Sequence, residues 1–158
     1  NDKSVKMWPL ENYDSLVDLI RARFPDAVLV QFGSPLDKKI DKDLDINLVG
    51  CTSMDEMKII VKRCAILIDN EGGTVHLRHA LHGGRSIVLF GSTSPEFYGY
   101  SENINIRSEC CPITCEWAIN QWQDGCLKGK DPAPCMAGIT PEHVLKALET
   151  IMEGDCHE

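Results

Sequence analysis

Apolar residues recur at helical spacing in three segments of the chain. The first segment covers residues 11–24 and ends before Pro25, which cannot continue a helix. The second segment begins with the capping-box pair Ser53 and Glu56, and the third begins with Thr140 at the position of a helix N-cap. The pattern therefore predicts three amphipathic helices, one of them near each end of the chain.

Four short segments are apolar almost throughout, without polar alternation. They cover residues 27–32, 45–49, 65–69 and 86–90. Runs of this kind are typical of parallel strands that are covered on both faces. Because helices and strands alternate along the chain, we predict an α/β fold with a doubly wound parallel sheet. We expect a single domain over residues 1–158, with a cysteine-rich insert at about residues 108–137.

Composition narrows the class of protein. The chain has 158 residues, the size of one domain, and a net charge of −8. This charge argues against binding to a nucleic-acid backbone, and no apolar run approaches the roughly 20 residues of a membrane span.

The chain begins at Asn1 rather than Met, so we interpret it as the C-terminal part of a longer protein. The absence of a leader and the many cysteines without an evident partner favour a cytoplasmic location.

The segment 68–76, Ile-Asp-Asn-Glu-Gly-Gly-Thr-Val-His, carries the strongest sign of a ligand. A buried strand ends there, two glycines turn the chain, and a helix begins at about Thr74. The start of a helix presents free N–H groups and a partial positive charge, and Gly72 and Gly73 let a phosphate approach the backbone. Glu71 suits an acceptor for sugar hydroxyls, and His76 suits a donor. A plain turn is the alternative interpretation.

The loop after the next predicted strand is rich in glycine, serine and threonine. It covers residues 90–99 and includes Thr93. In an open α/β sheet the carboxyl ends of neighbouring strands form one edge, where ligands bind. We therefore expect this loop and the segment 68–76 to share a pocket. A simple connecting loop remains the alternative.

Four motifs together resemble those of family-nine glycosyltransferases, the heptosyltransferases that use an ADP-heptose donor. In chain order they are Lys6–Glu11, Phe32–Pro35, Asn70–Leu77 and Leu89–Pro95. The resemblance is to the C-terminal, donor-binding half of that family and covers essentially the whole chain. It implies half of a GT-B fold with two facing Rossmann-like domains, and transfer of a sugar with inversion. The N-terminal acceptor domain would then be absent from this chain.

The resemblance also implies roles for individual residues. The donor would be bound by Lys6, Asp37, Glu71, Gly72, Gly73, Thr74, His76 and Thr93. The family's acidic general base lies in the N-terminal half, so no catalytic residue is expected on this chain. No catalytic divalent cation is expected, because no Asp-x-Asp pair follows a strand. Glu71 and Gly72 replace the family's usual Asp and Ser or Thr, which leaves the sugar and the nucleotide open. The acceptor would be a bacterial glycan or protein.

Five of the eight cysteines are concentrated in one stretch. Four thiolates at short spacing suit a tetrahedral iron or zinc site, here Cys111, Cys115, Cys126 and Cys135, with Cys110 as an alternative to Cys111. The insert is too irregular to build a core, so a metal would supply its folding energy. The autotransporter heptosyltransferases resemble this stretch in carrying a four-cysteine iron-binding finger. Disulfides and free thiols remain open alternatives.

Two other functions fit the same sequence. A nucleotide-sugar epimerase would also use a glutamate and a histidine near a diphosphate. Alternatively, the chain could be a non-catalytic, metal-stapled assembly domain that forms a homo-oligomer through the tryptophan-containing insert, since aromatic residues are enriched at interfaces.

Overall fold

The computed structural model describes residues 5–154 as an α/β fold in which the strands pair in parallel. The strands are β1 (Val30–Gly33), β2 (Ile46–Val49), β3 (Leu67–Asn70), β4 (Ser86–Phe90) and β5 (Ile104–Arg107). The helices are α1 (Leu10–Arg23), α2 (Met54–Arg63), α3 (Gly73–Ala80), α4 (Pro95–Tyr98), α5 (Pro134–Ala137) and α6 (Pro141–Gly154), with a 3-10 turn at Cys115–Trp117. The predicted parallel α/β class is confirmed.

The strands pair as two sheets over the described residues, not as one. β1 pairs with β2, while β4 lies between β3 and β5. The expected burial on both faces is confirmed for β4, all of which is buried. It is wrong for β1 and β2, where Val30 and Ile46 are exposed. On the opposite face of these two strands, Gln31 and Asn47 lie side by side in register and hydrogen-bond through their side chains.

The main core forms where α1 and α6 pack together and against the sheet that contains β4. Ile20 of α1, Leu89 of β4 and Ile151 of α6 are among its buried members. Trp8 is also buried in this core, and its indole Nε1 donates to the carbonyl of Ile139 over 2.8 Å. This contact anchors the segment before α1, which carries Lys6, to the loop before α6.

Helix starts were predictable, but β5 was not. The capping box of α2 forms in both directions, between Ser53 and Glu56. The strand β5 lies between α4 and the cysteine-rich insert, in a stretch for which no strand was predicted. Only Ile104 and Ile106 alternate with polar residues there. Pairing with β4 is what defines β5 as a strand. Two isoleucines are too short a pattern to predict this pairing from the sequence.

Arg78 of α3 is fully buried and joins α3 to the end of α2. Its guanidinium donates to the carbonyl oxygens of Val61 (2.5 Å), Cys64 (3.0 Å) and Ala65 (3.0 Å). Its Nε donates to the carbonyl of Gly84 at 3.2 Å. The last carbonyls of a helix have no partner within the helix and carry partial negative charge. Arg78 therefore satisfies the C-terminal end of α2 with a buried cation.

The remainder of the chain is mostly irregular between β5 and α6. This is the insert predicted at about residues 108–137, and it contains the 3-10 turn and the short helix α5. Among residues 5–154, none of the helices combines the length and the apolar character needed to cross a membrane.

Candidate functional site

Glu71 forms the centre of a polar cluster directly after β3. It is 6% exposed, and its Oε2 forms an ion pair with Lys6. The hydroxyl of Thr93 donates to the same oxygen over 2.8 Å. The Nε2 of His76 lies 3.4 Å from Glu71 Oε1. Four residues predicted to bind a donor therefore lie together, although they are spread over much of the sequence. We call these residues the Glu71 cluster: Lys6, Glu71, His76 and Thr93.

The carboxyl of Glu71 is ionised at neutral pH. Burial favours its protonated form, but hydrogen bonds from Lys6 and Thr93, together with the charge of Lys6, outweigh burial and lower its pKa below the usual range. An ionised carboxylate only accepts hydrogen bonds. Glu71 therefore holds Lys6 and orients Thr93 and His76 around it.

Lys6 reaches this cluster because its segment is fixed on both sides. The backbone N–H of Trp8 donates to Asn70 Oδ1 over 3.1 Å, which ties the segment to the residue before Glu71. On the other side, the Lys6 ammonium lies 5.7 Å from the ring centre of Trp122, a residue of the insert. The distance suits a cation–π interaction. Sequence alone gives no sign of either contact, because both join distant segments.

The start of α3 lies beside this cluster and is open. Gly72 is the N-cap and Gly73 is the first residue of the helix. A Cβ at Gly73 would meet no atom within 4 Å, and a Cβ at Gly72 would meet only the carbonyl of Asn70, at 3.8 Å. Packing within the described chain therefore does not demand a glycine at either position. The two glycines leave space next to the N–H groups of the first turn of α3, where an anionic group fits.

Thr74 and Asp37 lie outside the Glu71 cluster. The Thr74 side chain hydrogen-bonds Asp69, the acidic residue two positions before Glu71. Asp37 is exposed, and its Oδ2 accepts a hydrogen bond of 2.6 Å from the N–H of Ser34, which closes the turn after β1. Asp37 is near enough to Asp69 to affect its titration. The structure thus links Thr74 and Asp37 to Asp69.

Asp69 is a titratable residue that the sequence analysis did not select. Burial raises its pKa to about 6, while hydrogen bonds from the Asn70 N–H and from Thr74 act in the opposite direction. A buried carboxyl with a raised pKa near the end of a parallel strand is a common sign of a functional site. Its position three residues before the glycine pair was the signal available in the sequence.

A cleft of about 420 Å³ lies between the Lys6 segment and the insert. Its walls come from Val5, from residues 7–11, from Lys38 and from residues 124–126 and 129–133. The insert also contacts the loop after β4, where Glu116 Oε1 accepts from the N–H of Ser94 over 3.3 Å. The cysteine-rich insert therefore borders the candidate site on two sides.

The four cysteines predicted to bind a metal are near enough to one another for their thiols to affect each other's titration. Cys111, Cys115 and Cys135 are buried, and Cys126 packs against the main core. Burial, together with neighbouring thiols of this set, raises the pKa of Cys115 and of Cys135. No two cysteines of the described residues form a disulfide. Within residues 5–154, no group of three or more His, Cys, Asp or Glu side chains is arranged to hold a metal ion.

The fold and the site together define a class of protein. A parallel α/β fold with an open helix start beside a lysine, at the carboxyl ends of β3 and β4, is typical of proteins that bind nucleotides or their sugar conjugates. Comparison with known families makes this more specific. The model of glycosyltransferase family 9 (heptosyltransferase) matches residues 1–126, and the chain belongs to this family.

Curated relatives agree with this family. The chain is 25% identical over 103 residues to lipooligosaccharide heptosyltransferase 2 of Haemophilus influenzae and 26% identical over 104 residues to that of Haemophilus ducreyi. It is 29% identical over 104 residues to lipopolysaccharide heptosyltransferase 2 of Escherichia coli. Each match covers 58% of this chain and 29% of the relative, so the chain spans less than a third of these relatives. No solved structure matches it.

These comparisons favour a glycosyltransferase over an epimerase. They do not address the cysteine finger, because the family match ends at Cys126, before Cys135.

Proposed function

We propose that this chain is the donor-binding half of an inverting glycosyltransferase that transfers a heptose-like sugar from a nucleoside diphosphate to a bacterial glycan or protein. The observation that carries the proposal is the open space at Gly73, beside the Lys6–Glu71 pair. That space lies where a diphosphate would meet both the N–H groups of α3 and a cation. Family membership supports the sugar-transfer chemistry.

The chemistry would be a direct displacement at the anomeric carbon of the donor. The acceptor hydroxyl attacks as its proton passes to a general base, which we expect on the acceptor-binding half of the enzyme, outside this chain. Negative charge then develops on the departing diphosphate. The N–H groups at the start of α3 and the ammonium of Lys6 would stabilise that charge. Glu71 would hold Lys6 in place and accept hydroxyl hydrogen bonds from the sugar. We place the reaction in the cytoplasm, where nucleotide sugars are made.

Calorimetric titration with ADP, UDP, GDP and CDP tests the proposal. We expect saturable binding of one of the four, which also identifies the nucleotide of the donor. A folded chain that binds none of them contradicts the proposal.

Replacing Gly73 with valine should weaken binding of the preferred diphosphate at least tenfold. The added side chain would occupy the space beside the first turn of α3, while the fold has room for it. Gly154→Val, at the end of α6, is the matched control, because a Cβ there would meet only the end of the Arg85 side chain, at 3.6 Å. Both variants should unfold at nearly the same temperature as the wild type. Unchanged diphosphate affinity in Gly73→Val would place the ligand elsewhere.

We further propose that Cys111, Cys115, Cys126 and Cys135 bind a structural iron or zinc ion. Three observations fit such an ion: the thiols lie close together, three of them are buried, and the surrounding insert has little regular structure. Cys110 is exposed and does not belong to this set of interacting thiols. A site of four thiolates leaves no open position for substrate, so the ion would stabilise the insert rather than take part in the reaction.

Removing this ion should loosen the insert and leave the α/β core folded. Elemental analysis of the purified chain should give about one iron or zinc per chain, and Cys126→Ser should lower that content to a small fraction. Chelation should lower the unfolding temperature by about 5 °C, because the insert covers one side of the core. Cys51→Ser, at an exposed thiol outside the insert, is the control. Purified chain without bound metal, or equal metal content in both variants, would contradict the site.

A further inference from the structure

We propose that Tyr100 is a positioning residue for His76: its hydroxyl donates to Nδ1 of the imidazole, so that the proton stays on Nε2 and points toward Glu71 and the ligand. The inference rests on the proposed function, because it assigns a role within the same site. Tyr100 lies between α4 and β5, outside every motif that pointed to the donor.

The imidazole of His76 lies between two polar side chains. The Nδ1 atom of His76 lies 2.8 Å from the hydroxyl oxygen of Tyr100, a normal hydrogen-bond distance. The Nε2 atom, on the other side of the ring, lies 3.4 Å from Glu71 Oε1. Each ring nitrogen therefore has a defined neighbour. The carboxylate can only accept a hydrogen bond, whereas the tyrosine hydroxyl can donate or accept one.

The two neighbours of the imidazole differ in chemistry. Glu71 is ionised at neutral pH and only accepts hydrogen bonds, so it favours a proton on the nitrogen that faces it. At 3.4 Å this contact is longer than an ordinary N–H···O hydrogen bond and does not fix the tautomer by itself. A neutral imidazole has one N–H group and one lone pair, which leaves the lone pair on Nδ1. A tyrosine hydroxyl can donate to that lone pair. The hydrogen bond made by one ring nitrogen thus fixes the protonation of the other, as in other functional histidines.

Tyr100 is itself held by contacts with α3 and β5. Its ring stacks on His79, with the ring centres 3.6 Å apart and the planes at 10°. Nδ1 of His79 pairs with Glu102 at 2.5 Å, and the backbone carbonyl of Tyr100 accepts from Asn105 over 3.2 Å. His76 and His79 are three residues apart on α3, so they lie on one face of the helix. The Tyr100 ring is therefore held by α3, the helix that also carries His76.

This arrangement gives His76 a defined task. With its N–H on Nε2, the ring presents a donor beside Glu71 and the open space at Gly73. A donor at that point suits a phosphate or sugar oxygen. The other tautomer would present a lone pair to a carboxylate and to an anionic ligand, which is unfavourable on both sides. Tyr100 would thus favour ligand binding without touching the ligand.

The test combines a spectroscopic measurement with binding. Nitrogen-15 NMR of the imidazole reports which nitrogen of His76 is protonated in the ligand-free chain. In the wild type we expect the proton on Nε2, and in Tyr100→Phe we expect the two nitrogen shifts to move toward each other as both tautomers become populated. The affinity for the preferred nucleoside diphosphate should fall about fivefold, the effect of one lost neutral hydrogen bond.

Two further variants make the result specific. Tyr98→Phe removes a hydroxyl from a neighbouring tyrosine that hydrogen-bonds Glu116, and it should leave the His76 spectrum unchanged. Because Tyr100 acts through His76, adding Tyr100→Phe to His76→Gln should cost little further affinity. An unchanged tautomer in Tyr100→Phe, or additive losses in the double variant, would overturn the proposal. If the wild type binds no diphosphate, the proposed function is contradicted. If Tyr100→Phe still changes the tautomer of His76 in that case, the positioning role of Tyr100 is supported independently.

Discussion

Replacing Arg78 with methionine should lower the free energy of unfolding by about 3–5 kcal/mol, the largest effect on stability that we expect from one substitution. Methionine has a similar length but no donors. It would leave the carbonyls of Val61, Cys64, Ala65 and Gly84 without the hydrogen bonds that Arg78 now provides. Each buried carbonyl that loses its partner retains its desolvation cost. The unfolding temperature should fall on the order of 10 °C.

Two controls separate this effect from a general loss of arginine. Arg63→Met changes an exposed arginine at the end of α2 and should stay within about 0.5 kcal/mol of the wild type. Arg78→Lys keeps the charge but replaces a fork of five donors by a single ammonium, so it should be intermediate. Chemical denaturation of all four proteins measures the differences. If Arg78→Met were as stable as Arg63→Met, the hydrogen bonds of Arg78 would contribute nothing to folding.

Replacing Lys6 with methionine should cost about 2–3 kcal/mol near pH 7, because it leaves the buried carboxylate of Glu71 without its cation. Lys6 is 30% exposed, and solvent screening keeps the cost below that of a fully buried pair. The diphosphate would also lose the cation that we assign to it. We therefore expect a large loss of ligand affinity together with a measurable loss of stability.

The cost of Lys6→Met should depend on pH with a defined sign. The fold lowers the pKa of Glu71 below its usual 4.5, so the carboxylate stabilises the wild type above that pH and this contribution is lost as the pH falls. Without Lys6, burial dominates and the pKa of Glu71 should rise instead. Protonation then relieves the variant in acid, and the difference between the two proteins should shrink toward pH 4.

Denaturation of both proteins at several pH values measures this trend. Lys58→Met is the matched control, because its partner Asp55 is exposed and solvent screening should make the contribution of this pair small at every pH. An equal cost of Lys6→Met at pH 4 and pH 7 would show that the ion pair with Glu71 is not the cause.

Local signals in the sequence were sufficient for helix starts and for the parallel α/β class. The capping box at Ser53 and Glu56 is a short-range pattern, and it forms as predicted. Strand pairing depends on distant partners, so the sequence did not reveal β5 or the division into two sheets. Arg78 illustrates the same limit. Its partners lie 6 to 17 residues away in sequence, and nothing in the pattern of α3 marks it as buried.

The sequence predicted which residues form the candidate site, but it did not predict the contacts between them. Motif order indicated that Lys6, Glu71, His76 and Thr93 belong to one site, and the structure brings them together. Donor binding by Asp37 stays a prediction; its carboxyl closes its own turn and affects the titration of Asp69. Tyr100 carries no motif, because a hydroxyl that orients a histidine leaves no pattern of spacing in one sequence.

The buried guanidinium that joins α2 to α3 has a consequence for the entropy of recognition. Arg78 lies five residues after Gly73, so its hydrogen bonds fix α3 about 7–8 Å from the exposed N–H groups of the first turn. Freedom of α3 to tilt or slide is thus already lost when the chain folds. A ligand at this helix end would meet dipoles that are preorganised, and little of its binding free energy would be spent on ordering them.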